Sequence, residues 1–533
     1  MVSTTKSRTA SGALLLVLFG IASADNCCSK LATLAPTKLF YPYQAGYKAA
    51  NGNGLISTLG GLLLSNTPYW SQQGIESPAC VFTAKTAQDV SSAVQILHTN
   101  RCTYAIRSGG HNPIPGWSNT NTGVLLSMSD IDDVTLDTTS NPKTVKFGAG
   151  CKWKDIYTVL DNAGMATTGG RDNTVGTGGF SLGGGISYYS NSRGWSVDNV
   201  VAFDVVYANG TTGTITQASY PDLFTAMKGA GSSFAIVTHF TQNVWTQGQY
   251  NAGFVFYPVT SIPQVFKALY NYSTDTVLSS PLSHIIPAVT SVGPEVTLPG
   301  LGFLPTNVTD LAAFCFFYPT PLTQELDVFK PFTQIPFLAT TRSNRQGINS
   351  ISGEIPVYNP AGRRQSFTDM SIVLTDPTAL QALYDAYQTA TQSYRLQIVG
   401  YISSFINYPL HKNFVDAGMA NGMKNSMGIE DSPAGQAGET VMIVSINLTW
   451  NLQSQDNLAA ECVGVGFAAM KAVAESNGWL HPFQYMNYAN GTQDVISGYG
   501  STSVARLQAV KALVDPMNDF ATLVTGRYRI PGF

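Results

Sequence analysis

Charge is what this chain has least of. Of its 533 residues, 11% are Asp, Glu, Lys or Arg, and the formal net charge is −3. That leaves no basic footprint for nucleic acid. Metal chemistry is also poorly provided for: there are 6 His and 7 Cys, no C-x-x-C and no Cys/His cluster, so no metal centre is expected. The nicotinamide-type G-x-G-x-x-G fingerprint is missing as well, because Gly176 and Gly178 are followed by Ser181 where the third glycine belongs. Beyond the N-terminus no segment reads as membrane-spanning.

The N-terminus has a character of its own. Lys6 and Arg8 precede the apolar run "GALLLVLFGIA", Gly12 to Ala22, which is followed by "ASAD". These are the three parts of a secretory signal peptide, with cleavage expected after Ala24. The run is far short of the roughly 20 apolar residues a membrane anchor needs. A secreted or secretory-pathway protein, with no membrane partner once the signal is removed, is therefore expected. Export makes disulfides possible among Cys27, Cys28, Cys80, Cys102, Cys151, Cys315 and Cys462. The odd number leaves at least one unpaired or pairing between molecules. Sequons at Asn209, Asn271, Asn307, Asn447 and Asn490 allow glycosylation, least so at Asn447, which lies in an apolar strand-like stretch.

Glycine and aromatics, by contrast, are plentiful: 50 Gly, and 11% Phe, Trp and Tyr. This composition suits an ordered, turn-rich enzyme. Residues 80–108 read strand, helix, strand, with Thr86 as N-cap and Asp89 three residues on. "VAFDVVYANGTTGTIT" reads as a hairpin about Asn209-Gly210. "SVARLQAVKALV", Ser503 to Val514, reads as a helix stopped by Asp515-Pro516. The stretch from about 250 to 470 mixes strands and helices without a glycine cluster.

Two glycine constellations carry the chemistry. "AIRSGGHNPIPGW", Ala105 to Trp117, sets a base, a hydroxyl, two glycines and a histidine after an apolar stretch. Paired glycines are costly in backbone entropy and mark sharp turns or close approaches. "GGRDNTVGTGGFSLGGG", Gly169 to Gly185, holds eight glycines. Backbone N–H groups freed by such turns can line an anionic group. Gly179-Phe180-Ser181-Leu182-Gly183 also matches the G-x-S-x-G elbow of hydrolases, but it lacks the preceding apolar strand that the elbow requires.

Together with "DNVVAFDVVYANG", "LFTAMKGAGSSFAIVTHF" and "YMNYAN…RLQAVKALVDPMNDF", these motifs resemble the berberine bridge enzyme-like flavoproteins of the vanillyl-alcohol oxidase superfamily. The resemblance covers most of residues 76–248 and 485–520 and implies an α+β fold. A two-lobed PCMH-type FAD-binding domain would be built from the N-terminal region and the C-terminal tail, around a central α/β substrate domain. The divisions implied are signal peptide 1–24, N-terminal segment 25–75, FAD-binding domain 76–250, substrate domain 251–475, and a C-terminal segment 476–533 returning to the flavin.

Carried over residue by residue, the resemblance makes Arg107, Ser108, Gly109, Gly110 and His111 a loop around the FAD diphosphate, with His111 bonded to the flavin 8α-methyl. Gly170, Thr174, Val175, Gly176, Gly178, Gly179, Gly183, Gly184, Gly185 and Asn487 would complete the cofactor site. Some relatives carry a second, cysteinyl link; here Asp172 holds that place, so a single covalent link is expected. A valine at the position of Val175 accompanies oxygen access. Tyr488 matches a tyrosine proposed as base, and Tyr485 lies beside it. Tyrosine needs a neighbouring cation or hydrogen bonds to act so. The glutamate base of berberine bridge enzyme itself falls on Ser445, with Asn447 on the same strand face, and neither is a base.

The implied activity is that of an FAD-dependent oxidase. Hydride would pass from an alcohol, amine or specialised metabolite to flavin N5, and molecular oxygen would be reduced to hydrogen peroxide. An oligosaccharide oxidase, or a flavoprotein that steers cyclisation of a specialised metabolite, are the alternatives.

Overall fold

The computed structural model describes residues 24–533 apart from 45, 53–55, 60–61, 66–67, 278–279, 295, 297–309 and 421–423. The expected signal-peptide residues 1–23 and the sequon at Asn307 fall outside the described residues.

Three short apolar strands, Cys80–Thr83, Val124–Ser127 and Tyr104–Arg107, run parallel, with Leu39–Phe40 antiparallel at the edge. Parallel strands need a crossover, and the helix Ala87–Thr99 begins one. Its capping box is reciprocal: the Asp89 N–H donates to Thr86 Oγ1 at 3.2 Å and the Thr86 N–H to Asp89 Oδ2 at 3.0 Å. Val90, Ala93, Val94 and Leu97, at helical spacing, are fully buried on one face. Disulfides Cys27–Cys102 and Cys28–Cys80 tie the helix of residues 24–34 to both ends of this unit. Cys151, Cys315 and Cys462 are free and buried.

A second, five-stranded antiparallel sheet includes the hairpin Val200–Val206 and Thr212–Thr216, which turns through Gly210 at φ 82°. Residues 250–481 build the third sheet, of nine strands, all antiparallel. Its strands alternate strictly. Val255, Tyr257, Val289, Phe314, Phe405, Val444 and Ile446 pack in one core with the helices Ile262–Asn271 and Ala379–Thr391. Phe254, Phe256, Ile286, Ala288, Ala313 and Ile406 face the other way, into a cavity. The helix Asp456–Ser476 is long and apolar enough by composition to cross a membrane; it packs along Ala379–Thr391 and buries Ala459, Cys462, Met470 and Ala474.

The chain after residue 481 returns to the glycine-rich half. Tyr499 Oη donates to Gly229 O at 2.8 Å, and Lys511 Nζ to Ser233 O at 2.7 Å. The helix Ser501–Val514 ends at Asp515, whose carboxylate takes the Asp519 and Phe520 N–H groups at 2.8 and 2.9 Å.

Candidate active site

A cavity of about 400 Å³ lies where the glycine turns, the tail and the concave face of the nine-stranded sheet meet. Pockets of this size hold small molecules and cofactors.

Its first wall is bare backbone. Ser108, Gly109, Gly110, Gly170, Gly176, Gly178 and Gly179 all line it. The two turns cross at Gly109 and Gly176, where a Cβ on Gly109 would stand 2.4 Å from Gly176 Cα. No other residue type permits that approach. Ser108 locks the crossing: its Oγ donates to Ala149 O at 2.6 Å and accepts the Gly178 N–H at 3.1 Å. A Cβ on Gly179 would meet nothing within 4 Å, so this peptide faces open space.

His111 stands at the cavity edge, its imidazole parallel to the Trp70 indole at 4.8 Å between centroids. Its Nε2 lies 3.8 Å from Asp172 Oδ2 and 3.5 Å from Thr174 Oγ1. Thr174 does not line the cavity; its hydroxyl and N–H hold Asp172 Oδ1 at 2.6 and 2.8 Å. Burial pushes the His111 pKa below its ordinary value, against the pull of Asp172, so the ring is neutral and nucleophilic at pH 7. Val175 lines the same wall.

The opposite wall is aromatic. Trp70 stacks on Phe367 at 5.6 Å, and Phe367 on Tyr488 at 5.3 Å, so the rings run from His111 to Tyr488. Tyr485 meets Tyr488 edge-on at 4.9 Å. Asn487 donates to Phe180 O at 3.0 Å and to Tyr485 Oη at 3.1 Å, close against Gly183, where a Cβ would fall 2.1 Å from Asn487 Oδ1. Gly183, Gly184 and Gly185 therefore shape the turn behind the wall and do not line it. Burial drives the Tyr485 hydroxyl far above the ordinary phenol value and keeps it protonated.

Arg107 is placed elsewhere. Its guanidinium is spent on Asn51 O, Ala50 O, Tyr69 Oη and Ser127 Oγ, at 2.6, 2.7, 2.9 and 2.8 Å. It ties the preceding segment to the parallel sheet and has no place on the cavity wall. Ser181 lies inside the helix Thr177–Leu182, fully buried, so the G-x-S-x-G match presents no exposed nucleophile. Ser445 is also buried, donating to Thr368 O at 3.2 Å, whereas Asn447 reaches the cavity extension described below.

Three residues that bear on the chemistry went unassigned in the sequence. Arg171, 9% exposed, donates from Nη2 to Tyr488 Oη at 2.5 Å and lies 5.1 Å above the Tyr408 ring. Its Nη1 has no partner. Burial opposes its charge, but Tyr488 and Tyr408 outweigh that and raise its pKa. Arg527 brings a second buried, unpartnered Nη1 to the cavity, its pKa pushed down to about 10 by burial. Asp369 is fully buried and accepts the Tyr485 N–H at 2.7 Å; burial pushes it up to about 8. Arg171 sits within the second glycine run, and its adjacency was the available signal. Nothing local marks the other two. Among the described residues no group of three or more His, Cys, Asp or Glu could hold a metal ion.

Bare amides, the free Nη1 of Arg527 and a single acid, Asp172, make a wall suited to a diphosphate. The cavity bordered by His111, Phe367 and Tyr488 has the volume for a ring system. The site thus has the make-up of a flavin-dependent oxidoreductase. Residues 78–216 match the family model described as FAD binding domain. FAD-dependent monooxygenase FUP4 of Fusarium proliferatum is 30% identical over 87% of this chain and 87% of its own. Among solved structures, 6-hydroxy-D-nicotine oxidase from Arthrobacter nicotinovorans superposes with a TM-score of 0.73 at 17% identity, over 93% of this chain and 98% of the other. Glucooligosaccharide oxidase from Acremonium strictum, described with a 6-S-cysteinyl, 8α-N1-histidyl FAD, has a TM-score of 0.68 at 16% identity over 94% and 98%. The chain belongs to the FAD-dependent oxidoreductases that carry this FAD binding domain, and its fold is the one shared with the berberine bridge enzyme-like and VAO-type flavoproteins.

Proposed function

We propose that the protein is a secreted FAD-linked oxidase of a small organic alcohol, amine or specialised metabolite, with Tyr488 as the base and His111 as the single point of covalent attachment. The bound FAD supplies a hydride acceptor whose electrons return to molecular oxygen as hydrogen peroxide. The chain's own residues do the rest. The crossed glycine turns and Arg527 hold the diphosphate, and Trp70 fixes the imidazole plane of His111. Asp172, in the place of the second link, accepts no such bond but polarises the His111 ring.

The observation that carries the reading is the Arg171–Tyr488 contact at 2.5 Å. Oxidation of a C–H/O–H pair releases one hydride and one proton, and the proton needs an acceptor beside the reacting carbon. Tyr488 Oη accepts a hydrogen bond from the Arg171 guanidinium, which has no carboxylate partner among the described residues, so a fixed cation stands beside the oxygen that takes the substrate's proton. Tyr485, kept neutral, orients through Asn487. Mostly apolar walls favour an apolar metabolite over a sugar chain, whose hydroxyls would go unpaired. Two disulfides favour an oxidising compartment.

The test is anaerobic reduction of the holoenzyme by a turnover substrate found in a screen of apolar alcohols, amines and sugars. Tyr488→Phe should slow reduction by about 10²–10⁴-fold without loss of bound FAD, and wild type should release one peroxide per turnover. Unchanged reduction in Tyr488→Phe removes the base, and turnover without peroxide removes the oxidase.

A further inference from the structure

Beyond the flavin slot the cavity continues into an extension of about 160 Å³, sharing Ile286, Ile355, Asn359, Phe367 and Ile406 with it. The floor is the concave face of the nine-stranded sheet, read off every second residue: Phe254 and Phe256, Ala288 and Thr290, Leu311 and Ala313, Ile402 and Ser404. The roof is the segment from Ile355 to Arg363. This chamber is mostly apolar, its polar lining being the neutral side chains of Thr290, Asn359, Gln365, Ser404, Asn447 and Thr449, and no Asp or Glu lines it.

One charge does line it, Arg363. Its Nη1 is buried without a hydrogen-bond partner, and no ion pair with a described carboxylate involves it. The neighbouring Arg364 behaves as a buried arginine should: its Nε and Nη2 engage both oxygens of Asp456. Strand alternation sends the two side chains to opposite faces, so Arg364 finds its acid and Arg363 meets the chamber. The backbone at Arg363 is pinned, its carbonyl accepting the Gln72 N–H at 2.9 Å. The polar neighbours are otherwise engaged: Thr449 Oγ1 donates to Gln365 Oε1 at 2.5 Å and Asn447 Nδ2 to Ser366 O at 3.0 Å. An arginine cannot shed its charge to relieve this situation, and in this half-buried guanidinium the buried Nη1 without a partner is the atom that needs an explanation.

We propose that Arg363 receives an anionic group of the substrate, a carboxylate or an equally acidic enol, so that the substrate class is an apolar acid oxidised at the end remote from its charge. This rests on the reading of the flavin slot given above. The apolar body fills the chamber over the sheet, and the anion pairs with Arg363. The reacting carbon then lies beyond Phe367, whose ring stacks on the base Tyr488. Four residues of extended chain separate Arg363 from Phe367, roughly 13 Å at the rise of a strand, and this sets the length of molecule that can engage both ends. An acid of the wrong length pairs with Arg363 but holds no reactive C–H near the base.

The experiment uses binding, independent of turnover. The FAD-loaded enzyme is titrated with 4-phenylbutyrate and with 4-phenylbutyramide, the same shape without charge, by calorimetry and by the flavin difference spectrum. Wild type should bind the acid about 10- to 100-fold more tightly than the amide, the range for a hydrogen bond to a charged group. Arg363→Gln should abolish that preference while leaving the amide affinity and the flavin spectrum as they are, and Arg363→Lys should retain part of it. Tyr488→Phe should keep the full preference, so loss of turnover in that variant speaks to the base and leaves the anion site standing. Equal affinities in wild type, no binding of the acid at millimolar concentration, or a preference that survives Arg363→Gln would each overturn the proposal.

Discussion

The two walls of the cavity are made from different material. The flavin wall is peptide backbone, with glycines crossing at Gly109 and Gly176 so closely that a methyl group would stand 2.4 Å from the facing chain. The substrate wall is side chain, every second residue of a long antiparallel sheet. A backbone wall has one shape and suits a group that never changes. A side-chain wall can be re-lined position by position without disturbing the register, and it suits the choice of a substrate. The proposed function accordingly puts the cofactor on the first and specificity on the second.

The sharpest way to break this contrast is to add a methyl group to each kind of glycine. Gly109→Ala should force the turns apart, lower stability by about 1–3 kcal/mol as overpacking does, and abolish FAD retention; a thermal melt with flavin content measures both. Gly179→Ala, where the new Cβ meets nothing within 4 Å, should leave stability within about 0.5 kcal/mol of wild type and reduce only FAD loading. If both variants behave alike, close approach at the crossing is not what the glycines are for.

Next in size is the proton acceptor. Arg171→Met should cut the rate of flavin reduction by about 10- to 100-fold, the worth of a charged hydrogen bond, with Arg171→Lys recovering part, in single-turnover kinetics. The effect of Tyr488→Phe should be larger, and the double variant should be no worse than Tyr488→Phe alone, because the two side chains act as one unit.

The last expected effect is on stability against pH. The Asp369 carboxyl, unpaired at Oδ1, is pushed up to about 8 by burial, against the Tyr485 N–H that favours the anion. A carboxyl with a raised folded pKa binds its proton more tightly in the native state. Its stabilisation is therefore complete below the ordinary carboxylate value near 3.8 and is lost as pH rises through about 8. Asp369→Asn should flatten that part of the melting-temperature profile, and an unchanged profile would remove Asp369 as its cause.

The same contrast explains what could be read from the chain alone. The backbone wall announces itself locally: paired glycines beside His111, eight more from Gly169 to Gly185, and a capping box at Thr86 and Asp89. Even there, local reading has a limit. Arg107 stands in the motif but ends a strand whose geometry turns its guanidinium toward Ala50 and Asn51. The substrate wall gives no local sign. Phe254, Ile286 and Ile406 look like any buried strand residues, and only the pairing of strands far apart in sequence puts them around one space. Trp70, Phe367 and Tyr488 likewise form one stack from three distant segments. Arg363 and Arg364 are adjacent and identical in type, and only the location of Asp456 separates a paired arginine from a lone one.

The most direct measurement of the central claim is acid precipitation of the purified holoenzyme and of its His111→Ala variant. With His111 joined to the flavin, the yellow colour stays in the wild-type pellet and passes to the supernatant in the variant. Colour lost from wild type, or kept by the variant, would contradict the account.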